Sequence, residues 1–364
     1  MPSTNIETVL GAEVLLGATG MAASEVPVTH LPPGLLKGTP IGGNTGYVLV
    51  GQGTNKTAKS AARGSAARPI TLSGASRRPE VLVHSSNSVE FKADTLVNLI
   101  NPANGSVEQF AKAEVARQVN ECTQLSVGLR VQAVTSLFGL GAAWYNTDGD
   151  PLASSSNATV TIDPGIPAAN RNQLATLISA SWATATTPIV KNLMNIQKQC
   201  LVNSKGRTGP IAHAIYGADI FDYIYNNTQA QAMIRNNPIY MSAFAQGVIP
   251  NGFAGIKNWW PGMFGFYSNA SDTTVTPFAG DALAMFPEPN SSWYELQEGI
   301  QPVPRNFQGG TDLNDIASNT IIANGMFSYA YPTMNPYGAS MIFGDNFLPA
   351  IHIPEVVFIA DVVA

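Results

Sequence analysis

Four histidines could act as acids, bases or metal ligands, but His30, His84, His213 and His352 are widely separated along the chain. None has a second ligand at metal-binding spacing, so zinc is not expected and each reads as a structural histidine. Gly51-Gln52-Gly53 lacks the third glycine and the following helix of a pyrophosphate cradle, and reads as a turn. Ser340, in Gly338-Ala339-Ser340-Met341-Ile342, lacks the closing glycine of a nucleophile elbow. Asp148-Gly149-Asp150 starts like a calcium loop, but Pro151, Leu152 and Ala153 stand where further oxygen ligands belong. Asp312 and Asp315 form a carboxylate pair in a Gly/Asn-rich stretch, where turn or cap roles are the commoner use. Trp259-Trp260-Pro261-Gly262 could stack a ligand or form an aromatic turn buried against the core. The residues converge on no catalytic, cofactor or metal set, so a non-enzyme without cofactor is expected.

Charge is sorted along the chain instead. From Val26 to Pro79 there is no Asp or Glu, while Lys37, Lys56, Lys59, Arg63, Arg68, Arg77 and Arg78 all fall there. Beyond Lys257 the pattern inverts: Asp272, Asp281, Glu288, Glu295, Glu298, Asp312, Asp315, Asp345, Glu355 and Asp361 are opposed by Arg305 alone. Unlike patches at opposite ends of one polypeptide attract and orient neighbouring copies. A merely solvated loop or one touching nucleic acid is the alternative. Without interleaved aromatics the basic segment offers no stacking platform for single strands, and non-specific contact is all it supports.

Composition leans the same way. Only 12% of the 364 residues are charged and 45% are hydrophobic, with a net charge of -5. Much of the surface must be neutral, and such a surface invites cover by neighbouring subunits. Cys122 and Cys200 lie in apolar, helix-like settings and read as buried thiols, consistent with a reducing folding compartment. The run Val9 to Ala23 carries Glu13 and has no basic n-region, so neither an export signal nor a membrane span is expected. The Asn-x-Ser/Thr triplets at Asn55, Asn104 and Asn157 then carry no glycan message.

Several elements present these residues. Prolines and paired glycines over residues 1–45 suggest an extended arm. Tyr47–Val50, and Val81–Val83 with Val89–Phe91, read as strands flanking a Gly/Ala/Ser/Thr-rich basic segment that is flexible or a protruding hairpin. Ser106 and Gln109 suggest a capping box that opens a long amphipathic helix over 107–138, about 45 Å of spine. Ala158–Ile162 alternates as a strand, residues 187–203 as a second amphipathic helix, Ile211–Ile215 as a strand and Ala218–Tyr225 as a helix. Strand candidates follow at Gly262–Tyr267, Ala282–Phe286, Tyr294–Val303, Phe327–Tyr331, Met341–Phe343 and Val356–Val363. Few helices and a strand-rich second half give an α+β class.

This order of elements resembles the major capsid proteins of tailed bacteriophages, specifically the lambda-type protein E family with its Hong Kong 97-type fold. The likeness rests on Phe327-Ser-Tyr-Ala-Tyr-Pro332, Ser340-Met-Ile342 and Leu348-Pro349 through Pro354 to Ala364, which look like that family's closing strands. It rests also on the turn Trp144-Tyr-Asn-Thr-Asp-Gly-Asp-Pro151 leading into Val160-Thr-Ile-Asp163. The resemblance implies an N-terminal arm (1–45), an extended loop (46–92) and a peripheral domain with the spine helix (93–165). It further implies an axial domain (166–325), return strands of the peripheral domain (326–355) and a C-terminal axial strand (356–364). Pentamers and hexamers of the chain would form an icosahedral shell around double-stranded DNA, assembled in the host cytoplasm and retained in the virion. A separate scaffolding protein, a portal and non-specific contact with packaged DNA are the implied partners, no membrane is, and a decoration protein is left open. Lys56, Lys59, Arg63, Arg68, Arg77 and Arg78 are the expected inter-subunit contacts. The family's covalent Lys–Asn cross-link is not carried over, because the motif does not match. An encapsulin-like compartment is the near alternative, and a β-rich ligand-binding protein or enzyme using Trp259 and Trp260 is the distant one.

Overall fold

In the computed structural model, residues 7–26, 28, 30–51, 75–100, 105–147, 149–171, 177–178, 180–262, 266–268, 273–276, 278–305, 320–334 and 337–363 are described. The chain begins with helices α1 (Glu7–Leu10) and α2 (Ala12–Glu25), which corrects the expectation of an irregular arm across residues 1–45. The interrupting prolines and paired glycines begin only at Pro27. Gly17 and Gly20 dilute the apolar pattern of α2 and each costs about 1 kcal/mol in a helix interior, so docking must stabilise it. Leu10, Ala12, Leu15 and Thr19 supply the buried face.

A short strand β1 (Gly38–Pro40) precedes the hairpin β2 (Thr45–Gly51) and β3 (Ala75–Val81), after which come β4 (Val83–Phe91), α3 (Ala93–Ile100) and the spine α4 (Gly105–Gly139). The spine's 35 residues span about 52 Å at 1.5 Å each. It starts at Gly105, so Ser106 lies within its first turn rather than just outside it. Its first half buries one face through Ala111, Val115, Val119 and Cys122, whereas residues 130–138 are buried on every side. The single amphipathic period expected for the whole helix therefore holds only for its exposed half.

Beyond the spine, β5 (Ala143–Tyr145), β6 (Pro151–Leu152) and β7 (Val160–Ile162) make a small sheet. There follow α5 (Ile189–Ser204), β8 (Ile211–Tyr216), α6 (Ile220–Asn226), α7 (Thr228–Arg235) and α8 (Pro238–Ala245). Helices α7 and α8 were not anticipated, although Asn227 and Asn237 cap them, each accepting two backbone N–H bonds through its side chain. Strands β9 (Asn258–Pro261), β10 (Phe266–Ser268), β11 (Thr273–Val275) and β12 (Ala282–Pro287) come next. Trp259 and Trp260 thus lie in a strand parallel to β8, not in an aromatic turn.

The chain closes with β13 (Tyr294–Glu298), β14 (Ile300–Pro304), β15 (Thr320–Asn324), β16 (Phe327–Met334), β17 (Tyr337–Ile351) and β18 (Phe358–Asp361). The expected strand Tyr294–Val303 breaks at Gly299, where a side chain would collide with Leu82 and Asn346. The expected Met341–Phe343 is the middle of a 15-residue strand.

Two larger sheets organise the α+β fold. In one, β17 pairs antiparallel with β4, β16 and β13, and β1 adds to β13 in parallel. In the other, the order is β18-β12-β8-β9. Strand 294–298 therefore pairs with the return strands, although it falls in the 166–325 span expected to be axial. The buried end of α4 bridges the sheets: Phe138 lies 4.5 Å, centroid to centroid, from Phe286 on β12 and 6.1 Å from Tyr294 on β13. Among the described residues no helix is long and apolar enough to cross a membrane, and no group of three His, Cys, Asp or Glu could hold a metal ion.

Candidate functional site

Among the described residues the hairpin β2–β3 pairs by backbone only with itself, Thr45 opposite Val81 through Gly51 opposite Ala75. Side chains moor it to the body. The buried amide of Gln297 on β13 accepts the Tyr47 N–H at Oε1 (2.9 Å) and donates from Nε2 to the Tyr47 carbonyl (2.7 Å), a two-point copy of a neighbouring strand. Two residues on, the Leu49 N–H donates to His352 Nδ1 (3.0 Å). Because Tyr47 turns both backbone groups away from β3, it forms a non-hydrogen-bonded pair with Pro79, and the proline's missing N–H costs the ladder nothing.

Behind these moorings lies a charged network. Gln297 Nε2 also donates to Glu295 Oε1 (2.6 Å), which stands 3.3 Å from His352 Nε2. That last contact is in ion-pair range but poorly aligned, leaving Nε2 a buried polar atom without a made hydrogen bond. Contact with His352 is the largest influence holding the Glu295 carboxyl below its usual range. The ring of His352 also stacks on Tyr47 with 10° between planes, and Arg77 sits over the Tyr47 ring at 4.7 Å.

One residue further along β13, Glu298 accepts from Arg130 Nη1 on the spine (2.7 Å). Arg130 also grips Asp345 of β17 through Nε and Nη2, the latter at 2.7 Å. The pair is almost dry, with side-chain exposures of 8% for Arg130 and 0% for Asp345. Burial works against the guanidinium's charge, yet the bonds and charges of Asp345 and Glu298 push its pKa further up. Gly325 backs onto this cluster at φ +66, and a Cβ there would stand 2.6 Å from Arg130 Nη2.

The expected contact residues fall in two groups. Lys56, Lys59, Arg63 and Arg68 lie outside the described residues. Arg77 and Arg78 are exposed on β3, where Arg78 pairs with Glu80 (2.6 Å) and donates to the Asp163 carbonyl (3.2 Å). The acidic half of the pattern is reduced: Asp345, Glu295 and Glu298 are consumed inside the chain rather than forming surface. Asp312 and Asp315 also lie outside the described residues.

Other candidates take structural roles. His213 repeats the His352 arrangement, accepting from Trp260 Nε1 at Nδ1 (3.1 Å) and facing Glu288 with Nε2 (3.3 Å). His84 stacks on Phe327. Ser340 is buried in β17, Cys122 and Cys200 are buried free thiols, and Asn146 bonds Asp150 across the turn that resembled a calcium loop. Sequence reasoning missed Gln297 and Arg130, and read His352 as a structural histidine without its partner. Arg130 did carry a signal, being the lone charge between Glu121 and Asp148, where a buried ion must find partners.

No protein-family model matches the chain, and no curated protein sequence does. Solved structures do. A candidate capsid protein of a prophage in Escherichia coli CFT073 superposes with a TM-score of 0.55 at 10% identity, over 98% of this chain and 99% of that one. A phage-related protein of Bordetella bronchiseptica RB50 gives 0.54 at 10% identity, over 97% of each. At this identity the likeness concerns fold alone, and it spans nearly the whole of each chain: the protein has the phage capsid-protein fold.

Proposed function

We propose that this chain is a major capsid protein that self-assembles into the icosahedral head shell enclosing the double-stranded DNA of a tailed bacteriophage. The observation that carries the reading is the end-to-end match to the E. coli prophage protein, 98% of this chain on 99% of that one. The exposed side chains support it: Ile239 is 75% exposed, Val202 68% and Met21 66%, on a chain with only 12% charged residues. Apolar groups left in water on so neutral a surface favour cover by further copies.

In this reading the role is structural rather than enzymatic. Pentamers and hexamers form around the domain built on β8, β9, β12 and β18, and the hairpin reaches a neighbouring copy. Lys56, Lys59, Arg63, Arg68, Arg77 and Arg78 meet acidic surface there, drawn from acids left outside the core, such as Glu288, Glu355 and Asp361. A separate scaffolding protein, a portal and packaged DNA are the further partners, and the virion is the destination. The test is negative-stain electron microscopy of the sedimentable fraction from cells expressing the chain. Closed shells, tubes or hexameric rings support the proposal; a monomer that persists with its scaffolding protein co-expressed overturns it.

A further inference from the structure

The backbone of β2 is moored by two side chains of unequal kind. Gln297 cannot titrate. His352 can, and its mooring bond depends on its protonation state, since an imidazole nitrogen accepts only while it carries no proton. The 3.0 Å bond from the Leu49 N–H therefore fixes the neutral ring with its proton on Nε2, toward Glu295.

We propose that His352 is a pH-sensitive latch: protonation of Nδ1 breaks its bond to Leu49 and frees β2, while Glu295 receives the imidazolium. The inference concerns the chain's own hairpin and stands independently of the shell reading. Two opposed demands meet on one ring. Leu49 requires a bare Nδ1, because a proton there would set two N–H donors face to face. Glu295, 3.3 Å from Nε2 on the other side, favours the cation. The Nε2 contact is off the hydrogen-bonding direction while the strand is docked, so release lets the ring turn and make that bond. The titratable and charged groups facing His352 are Glu295 from β13 and Tyr47 from β2, with Arg77 from β3 beyond the Tyr47 ring. Among the described residues Glu295 is the one that opposes charge on the ring with charge of its own. Gln297 shares the Glu295 oxygen through Nε2, so an imidazolium competing for that oxygen also loosens the second mooring.

The experiment is hydrogen–deuterium exchange of the full-length chain read on peptides covering 45–51, as protection factors corrected for intrinsic rates, from pH 8 to pH 5. Protection of this segment should fall about three- to tenfold toward pH 5, the scale of one hydrogen bond lost. In His352→Asn, whose amide oxygen can accept from Leu49 without titrating, protection should stay within about twofold across the range. Glu295→Gln removes the carboxylate that receives the imidazolium and should diminish the fall in protection toward pH 5, an independent reading if the asparagine variant fails to fold. Protection that is flat in the wild type, or that falls as much in His352→Asn or in Glu295→Gln as in the wild type, overturns the latch.

Discussion

Replacing Arg130 with methionine keeps most of the side-chain volume and removes the guanidinium from a site where Asp345 is 0% exposed. Two hydrogen bonds to Asp345 and one to Glu298 disappear. Charge-assisted bonds contribute about 1.5–3 kcal/mol each, but their sum overstates the loss, because Asp345 can take up a proton. Burial already pushes that carboxyl up, and Arg130 is the main group pulling it down. The cost is therefore that of an orphaned buried partner, about 3–5 kcal/mol, a large part of the roughly 5–15 kcal/mol of a typical domain. Urea denaturation of the unassembled chain at pH 7.5, followed by tryptophan fluorescence, measures it. Adding Asp345→Asn removes the stranded charge while keeping an acceptor for the Asn346 N–H, so the double variant should recover about 2 kcal/mol or more. The deficit of the single variant should also shrink between pH 7.5 and pH 5.5. With Arg130 gone the folded state binds the Asp345 proton more tightly than the unfolded chain, so falling pH favours folding. A deficit below about 1 kcal/mol, or strictly additive single substitutions, refutes the reasoning.

Further outcomes follow from the same geometry. Gln297→Ala leaves the Tyr47 N–H and carbonyl without their partner, costing about 2–3 kcal/mol of unfolding free energy in urea denaturation and raising exchange over 45–51 at every pH. Gly325→Ala meets both a left-handed backbone, φ +66, and the Arg130–Glu298 pair, and should cost roughly 1–3 kcal/mol. Burial holds His213 below its ordinary value of 6.5. The unfolded chain thus binds that proton more readily, and stability declines as pH falls from about 6.5 toward the lowered folded value. His213→Asn should narrow the Tm gap between pH 7.5 and pH 5.5, and an undiminished gap counts against this assignment. Reversing Arg77 and Arg78 to glutamate should impair assembly at low salt, with the difference from wild type fading at high salt; shells that form equally at both salt concentrations would remove these residues from the proposed contact.

The first half of the spine, the helix–strand stretch from Ile189 to Tyr216 and most closing strands were legible, because each carries a run of apolar residues at one clear period. The docked N-terminal helix was not. Its glycines and alanines mask the 3.6-residue spacing, and its stability comes from packing against the spine and β16, far along the chain. The charge pattern was visible but only half correct. Sequence cannot distinguish an acid on the surface from Asp345, whose counter-ion lies 215 residues earlier. Gln297 and His352 were illegible as moorings for a related reason, since a side chain imitating a neighbouring strand leaves no local signature.

The moorings also give the hairpin a mechanical anisotropy. Tyr47 and Leu49 are successive outward-facing positions of one strand, so a pull along β2 loads the two Gln297 bonds and the His352 bond together. A pull at right angles, starting from the Gly51 end, meets Leu49 first and Tyr47 afterwards, one bond at a time. The hairpin should therefore resist sliding much better than peeling, and the first attachment to give way under peeling is the one formed by the titratable residue.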